Sequence, residues 1–177
     1  DKQGIEKSTK RIRRLYEKRD RYFEDVFHKY SRMITDYLIE NRIGNLVVGY
    51  NTGWKQSVNI GKQNNQKFVQ IPFARLVSYL EYKCEMAGIN FVKNEESYTS
   101  KCDALAKEKI GKHDVYIGKR VKRGLFRSST GKYINADING AVNILRKVVG
   151  DSDCINQITG NGRLLRPIRY SSPFEVA

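Results

Sequence analysis

A short apolar run, Asn45-Leu-Val-Val-Gly-Tyr50, lies between turn-forming residues on both sides. This pattern predicts a buried β-strand. Downstream, Pro72 opens a helical pattern of apolar residues that ends at Gly88, and Ile89-Asn-Phe-Val-Lys93 has the composition of a second strand. A strand, a helix and a strand in this order predict an α/β fold built on a βαβ unit with parallel strands.

Two further helical patterns flank this unit. From Ile5 to Leu38 apolar residues recur at three- and four-residue intervals without a proline, which predicts a long amphipathic helix or a helical hairpin over residues 1–42. A last helix is indicated by Asn135-Ala-Asp-Ile-Asn-Gly-Ala-Val-Asn-Ile-Leu-Arg-Lys147. The pattern therefore divides the chain into residues 1–42, a core at 43–148 with an insert at 103–133, and an irregular tail at 149–177.

The charge of the chain points to a polyanionic partner. The 177 residues carry a net charge of +14, and residues 107–132 alone contain nine basic and two acidic side chains. Such a surface binds a nucleic-acid backbone and supplies affinity rather than sequence choice. The predicted nucleic-acid-binding residues are Lys119, Arg120, Lys122, Arg123 and Arg127, with Tyr116 and Phe126 interleaved among them, and also Trp54 and Lys55.

Several classes of protein are excluded. The sequence has no apolar run of the roughly 20 residues that a spanning helix needs, and residues 1–18 contain no apolar signal segment. Three scattered cysteines are too few for a disulfide framework. We therefore expect a reduced, cytoplasmic protein without a membrane partner. The sequence also lacks a glycine-rich phosphate loop and a nucleophile motif near either histidine.

Carboxylates are the remaining groups with catalytic potential. Asp137 lies among small residues where the last helix begins, and Glu95 and Glu96 follow the second strand. Hard cations such as Mg²⁺ bind carboxylate and phosphate oxygens together, so a strand-end glutamate and a helix-borne aspartate suit a metal-dependent nuclease. The alternatives are that Asp137 is a helix cap and that the glutamate pair is only solvated.

Three segments resemble the TnpB family, also called insertion-sequence OrfB, which is related to the type V CRISPR effectors and to Fanzor proteins. They are Gly49-Tyr-Asn-Thr-Gly-Trp-Lys-Gln56 with the following Asn64–Phe73, Glu95-Glu-Ser-Tyr-Thr-Ser-Lys-Cys102, and Gly118–Phe126 running into Asn135–Ile144. This resemblance implies an RNase H-like (RuvC-type) nuclease core that is guided by RNA and cuts DNA with Mg²⁺ or Mn²⁺. Its three acidic residues are an Asp on the first strand, a Glu near a later strand, and an Asp that maps onto Asp137.

The other two acids depart from the common family pattern. Many relatives carry the Glu where this chain has Gly49. A branch of the family places it before the Tyr-Thr-Ser motif, which points to Glu96, with Glu95 as the alternative. The first Asp has no counterpart in a strand pattern before Asn45. We therefore expect the C-terminal part of a longer protein, incomplete at the N-terminus of the fold and inactive when alone.

A further departure concerns zinc. Many relatives carry two Cys-x-x-Cys pairs after the Tyr-Thr-Ser motif, a spacing typical of a structural zinc site. In that interval this chain has Cys102 and His113 alone. Two ligands cannot fill a tetrahedral site, so we expect no zinc and a segment held by packing and by nucleic-acid contacts.

Together these expectations describe the nuclease part of a transposon-encoded, RNA-guided DNA endonuclease. Its partners would be target DNA and a guide RNA, with the protein associated with the nucleoid of a bacterial or archaeal cell. Glu96 and Asp137 are the expected metal ligands. The alternative is a catalytically inactive module that binds nucleic acid through a degenerate nuclease fold.

Overall fold

The computed structural model of the chain describes residues 9–51 and 71–160. These residues form helices and strands in the order α1 (Lys10–Glu40), β1 (Asn45–Gly49), α2 (Phe73–Met86), β2 (Asn90–Asn94), β3 (Lys119–Lys122), β4 (Leu125–Arg127), β5 (Tyr133–Asn135), α3 (Ala136–Val149) and α4 (Asp153–Gly160). One compact unit contains α1 and α2, and a second contains the strands with α3 and α4. In the described ranges, no helix has the length and apolarity needed to cross a membrane.

The first unit confirms two predicted helices. Thr9 caps α1, because its hydroxyl accepts a hydrogen bond from the backbone N–H of Ile12 at 3.3 Å. The helix that follows Pro72 is α2, and it ends before Gly88, whose φ of +69° is readily adopted only by glycine. The two helices are joined by Lys83, whose Nζ donates to the carbonyl of His28 and to the hydroxyl of Ser31, both at 2.7 Å.

The predicted parallel strands are present as β1 and β2. They are hydrogen-bonded neighbours in a two-stranded sheet. The backbone N–H of Asn90 donates to Gly44 at 2.9 Å, and that of Tyr50 donates to Asn94 at 2.8 Å. Since residue numbers rise together in both bonds, the strands run in the same direction. The mixed α/β class is therefore confirmed.

A second sheet, which sequence patterning missed, lies within the basic insert. β3, β4 and β5 form an antiparallel sheet in chain order, with Lys119 opposite Arg127 and Phe126 opposite Ile134. Phe126 is 1% exposed and packs with Ile134 and Ala136. Phe126 lies among the predicted nucleic-acid-binding residues in the sequence, but its side chain forms the core of the sheet.

The end of the described chain also differs from expectation. Residues 149–177 were expected to be irregular, but residues 153–160 form α4. Ile155 on this helix is fully buried and packs with Val142 of α3 and with Ala104. An apolar residue that completes a core in this way stabilises a helix too short to be evident from its sequence alone.

Candidate functional site

The two adjacent glutamates after β2 lie in different environments. The Glu95 carboxylate accepts a hydrogen bond from Lys147 Nζ on α3 at 2.7 Å and another from the backbone N–H of Ser97 at 2.8 Å. These bonds, that to Lys147 foremost, hold the pKa of Glu95 at about 2, well below its ordinary value. Glu95 is thereby committed to an ion pair with the last turn of α3.

Glu96 lies instead over the end of β1. A Cβ atom placed on Gly49 would lie 2.8 Å from Glu96 Oε2 and 2.7 Å from Ile144 Cδ1 on α3. The Glu96 carboxylate therefore lies in the space that a side chain at position 49 would fill. The Glu96 backbone is fixed on both sides, since its N–H donates to Asn51 Oδ1 at 3.0 Å and its carbonyl accepts from the Thr99 hydroxyl at 2.7 Å.

Asp137 lies in the first turn of α3. The cap of this helix is Asn135, whose Oδ1 accepts from the backbone N–H groups of Asp137 at 2.8 Å and Ile138 at 3.2 Å. The interpretation of Asp137 as the helix cap is therefore wrong. Its side chain is 85% exposed and lies 3.6 Å from the Arg120 guanidinium of β3. A carboxylate at a helix N-terminus that is not needed as the cap is available to a ligand.

Glu96 is connected to the helix of Asp137 through Ile144, since both side chains approach the Cβ position of Gly49. Asp137 and Ile144, the residue beside Glu96, are seven positions apart, so they share a helix face and are separated by about 10 Å along the axis. Within residues 9–51 and 71–160, no three His, Cys, Asp or Glu side chains are grouped closely enough to hold a metal ion. Glu96 and Asp137 therefore do not belong to a complete metal site within these residues.

The predicted nucleic-acid-binding residues cluster on the antiparallel sheet. Lys119, Arg120 and Lys122 are exposed on β3. Arg123 follows in the turn to β4, where Gly124 has a φ of +75°, and Arg127 ends β4. This surface, which we call the basic sheet, ends beside the proposed site because Arg120 contacts Asp137. Trp54 and Lys55 lie outside the described residues.

Two buried carboxylates, missed by sequence reasoning, hold the basic sheet to the rest of its unit. Asp103 is 0% exposed and accepts hydrogen bonds from the Ser128 hydroxyl at 2.8 Å and from the backbone N–H of Ser129 at 2.7 Å. Glu108 accepts from the backbone N–H groups of Asp103 at 2.7 Å and Ile117 at 3.1 Å. The one available signal was the residue type at position 103, because an aspartate side chain can accept a hydrogen bond from the backbone two residues on, as Asp103 does from Leu105.

Two asparagines of the Ala-Asp-Ile-Asn-Gly-Ala-Val-Asn motif have a structural role. Asn139 accepts from the backbone N–H of Ala104 at 3.0 Å and donates to the carbonyl of Cys102 at 2.9 Å. Asn143 donates to the carbonyls of Thr99 at 2.8 Å and Cys102 at 2.7 Å. Both side chains are fully buried. They bind the segment between Glu96 and the basic sheet to the helix that carries Asp137.

The two residues weighed as zinc ligands face backbone carbonyls. Cys102 Sγ lies 3.7 Å from the carbonyl oxygens of Lys109 and Gly111, and His113 Nε2 lies 2.7 Å from that of Lys109. The absence of zinc remains a prediction. The expected packing of this segment is present around Phe126 and Ile134, and Asp103 and Glu108 add hydrogen bonds that the sequence did not indicate.

The ion pair of Glu95 gives a first testable prediction. Lys147→Gln should raise the pKa of Glu95 from about 2 toward its ordinary value, as observed by NMR of the side-chain carboxyl carbon during acid titration. The sign follows from the lowered pKa: the stabilisation is present above the unfolded-state pKa and is lost as the pH falls toward 2. Lys101→Gln, the matched control, should leave the titration unchanged. A Glu95 pKa that stays near 2 in Lys147→Gln would contradict the assignment.

Comparison with known proteins identifies proteins and family models that this chain is similar to. A family model described as "Cas12f1-like, TNB domain" matches residues 73–144, and OrfB_IS605, described as "Probable transposase", matches residues 1–55. The TnpB-like protein ORF457 of Acidianus two-tailed virus is 27% identical over 140 residues, which are 78% of this chain and 28% of that protein. The CRISPR-associated endodeoxyribonuclease Cas12f1 of Sulfoacidibacillus thermotolerans is 28% identical over 155 residues, or 84% of this chain and 34% of the relative.

A solved structure agrees with these matches. The cryo-EM structure of a Cas12f1–sgRNA–target DNA complex has a chain that aligns with a TM-score of 0.58 and 26% identity, covering 76% of this chain and 36% of the other. The mixed α/β fold is thus of the TnpB and Cas12 nuclease class. The chain is thus similar to TnpB-like and Cas12f proteins over most of its length, and it spans about a third or less of the length of these curated relatives.

Proposed function

We propose that this chain forms the C-terminal nuclease part of an RNA-guided, metal-dependent DNA endonuclease with an RNase H-like core. The observation that supports the proposal is the Glu96 carboxylate lying in the space left by Gly49, beside Ile144 of the helix whose first turn contains Asp137. The names of the relatives support the activity, because two are CRISPR-associated endodeoxyribonucleases. The solved neighbour contains an sgRNA and target DNA.

The residues fit a hard divalent cation. Mg²⁺ prefers carboxylate oxygens, commonly takes one or two from protein, and completes its coordination with water and substrate phosphate. Glu96 and Asp137 supply two such groups, and the resemblance implies a third from an Asp on the first strand of the family fold, which has no counterpart in a strand pattern before Asn45. A bound divalent ion would activate the attacking water and neutralise charge at the scissile phosphate.

The chain's own side chains would position the substrate. The guanidinium of Arg120 lies 3.6 Å from Asp137 and is half exposed, so it can donate two parallel hydrogen bonds to a phosphate at the site. The exposed cations of the basic sheet then hold the adjoining backbone, while pairing with a guide RNA selects the sequence. Arg120 thus links strand binding to the proposed cleavage site.

The test is cleavage of guide-matched DNA by the full-length protein with its guide RNA. We expect cutting that requires both the guide and Mg²⁺ and that stops when EDTA is added. The inactive binding module is favoured by one observation, that the described residues contain no group of three His, Cys, Asp or Glu side chains close enough to hold a metal ion. Guide-dependent DNA binding without cutting at any Mg²⁺ or Mn²⁺ concentration would establish that alternative.

A further inference from the structure

The charges of α1 are distributed unevenly along the helix. Residues 10–22 contain seven basic and two acidic side chains, whereas residues 23–40 contain two basic and four acidic ones. At 3.6 residues per turn, five of the basic residues fall within an arc of about 100° that contains neither Glu17 nor Asp20. We call these five exposed residues the basic stripe: Lys10, Arg11, Arg14, Lys18 and Arg21.

The basic stripe is not neutralised as the rest of the helix is. Toward the C-terminus, Lys29 pairs with Asp25 at 2.9 Å and Arg32 pairs with Asp36 at 3.4 Å. Within the part of the chain that the structure describes, one stripe residue contacts an acid, Arg21, which lies 3.9 Å from Glu17. A solvated face with paired charges therefore describes the second half of α1 but not the first.

The charged side chains of α1 are distributed along the helix in the opposite way to that which the helix dipole favours. The first turn contains no acidic residue and the last turn no basic one. Cations near a helix N-terminus reduce helix stability, since the dipole there favours negative charge. Charges that lower the stability of their own helix are typical of a surface that has a function.

The side chains around the stripe favour nucleic acid over a lipid surface. Leu15 and Tyr22, 60% and 59% exposed, border the stripe and present an apolar contact and a ring. The remaining apolar residues in the first half of α1 lie on the side of the helix away from the stripe, and Arg19 lies among them with its guanidinium 4.8 Å from the ring centre of Tyr16. This charge interrupts the apolar face that would otherwise enter a lipid surface. Arginines beside exposed aromatic rings suit phosphates and bases.

We propose that the basic stripe binds the phosphodiester backbone of a nucleic acid, as a second surface additional to the basic sheet. The two surfaces lie in different compact units of the chain. Each phosphate contact releases condensed counterions, so the stripe contributes directly to the salt dependence of binding. The inference is independent of the nuclease chemistry, because it concerns binding alone.

The test compares two variants of equal charge in the same helix. The stripe variant combines Arg14→Gln with Lys18→Gln and so removes two positive charges of the basic stripe. The control variant combines Lys29→Gln with Arg32→Gln and removes two positive charges that form ion pairs with Asp25 and Asp36. Glutamine has a helix propensity close to those of lysine and arginine. Circular dichroism checks that both variants keep the helix content of the wild type. Binding to a 20-base-pair DNA duplex and to an RNA duplex of the same sequence is measured by fluorescence anisotropy in EDTA over a range of salt, so that cleavage does not enter the result.

We expect the stripe variant to lower the slope of log K against log salt by about 2 and the affinity roughly 60-fold at 0.1 M salt. The paired-charge control should stay within about twofold. The duplex that loses more identifies DNA or RNA as the partner. Equal losses of duplex binding in the two variants would overturn the proposal. Unchanged duplex binding in the stripe variant would also overturn it, and a loss of binding to phosphatidylglycerol vesicles in that case would identify a lipid surface as the partner instead. If the stripe variant loses helix, Lys10→Gln with Arg11→Gln replaces it under the same criteria.

Discussion

Glu96→Gln is expected to lower the rate of DNA cleavage by the guide-bound, full-length protein at least about 1,000-fold. A metal ion contributes several kcal/mol to phosphodiester hydrolysis, and each 1.4 kcal/mol is a factor of ten in rate. The amide keeps the size of the side chain and so its fit over Gly49, but it loses the charge that would hold the cation. Binding to target DNA should stay within about threefold, since few phosphate contacts are affected.

Glu95→Gln is the matched control, because it makes the same chemical change one residue away. Glu95 is paired with Lys147 and 56% exposed, so its loss should change the cleavage rate by less than about threefold. Asp137→Asn should reproduce the loss seen with Glu96→Gln. Comparable activity of Glu96→Gln and the wild type, or inactivity of Glu95→Gln alone, would show that the metal ligand has been assigned to the wrong glutamate.

Asp103→Ala is expected to destabilise the unit that carries the basic sheet by about 3–5 kcal/mol. The carboxylate is fully buried and accepts hydrogen bonds from Ser128 and Ser129 as well as from the backbone N–H groups of Leu105 and Ala106. Removing it takes the acceptor from the buried Ser128 hydroxyl and from three partly buried backbone N–H groups, which costs more than the loss of a solvated bond. Urea unfolding followed by circular dichroism measures the change.

Limited proteolysis locates the effect of this substitution. Cleavage in residues 103–133 should appear in Asp103→Ala under conditions in which the wild type is protected. Asp114→Ala removes an exposed carboxylate from the same segment and should alter stability by less than about 0.5 kcal/mol. If both variants unfold at the wild-type urea concentration, the sheet is held by its apolar core and Asp103 is dispensable.

Periodicity identified the elements with the strongest patterns. The apolar spacing of α1 and α3, the proline before α2 and the apolar runs of β1 and β2 each depend on local signals that tertiary structure did not override. The antiparallel sheet had no such signal. β3 is four basic or exposed residues without alternation, and β4 is three residues long with its one buried side chain at Phe126. Short strands of this kind are specified by their partners rather than by their own sequence.

The acids of the candidate site could be identified by residue type but not distinguished from one another. Alternation along a strand implies that adjacent side chains diverge, yet it does not say which one faces the site. That choice depends on Lys147, about fifty residues downstream, and on the lack of a side chain at Gly49. Asp103 and Glu108 were overlooked for a related reason, because carboxylates in a basic segment look solvated until their buried donors are known.

The space shared by Gly49 and Glu96 makes these two positions epistatic. Any side chain at position 49 displaces the Glu96 carboxylate and the Ile144 methyl group, because its Cβ would lie within 2.8 Å of both. Both atoms end flexible side chains, so an acid placed at position 49 would require the Glu96 carboxylate to move out of this space. The effect of an acid at position 49 therefore depends on whether a glutamate is present at position 96, and the two substitutions are not expected to be additive.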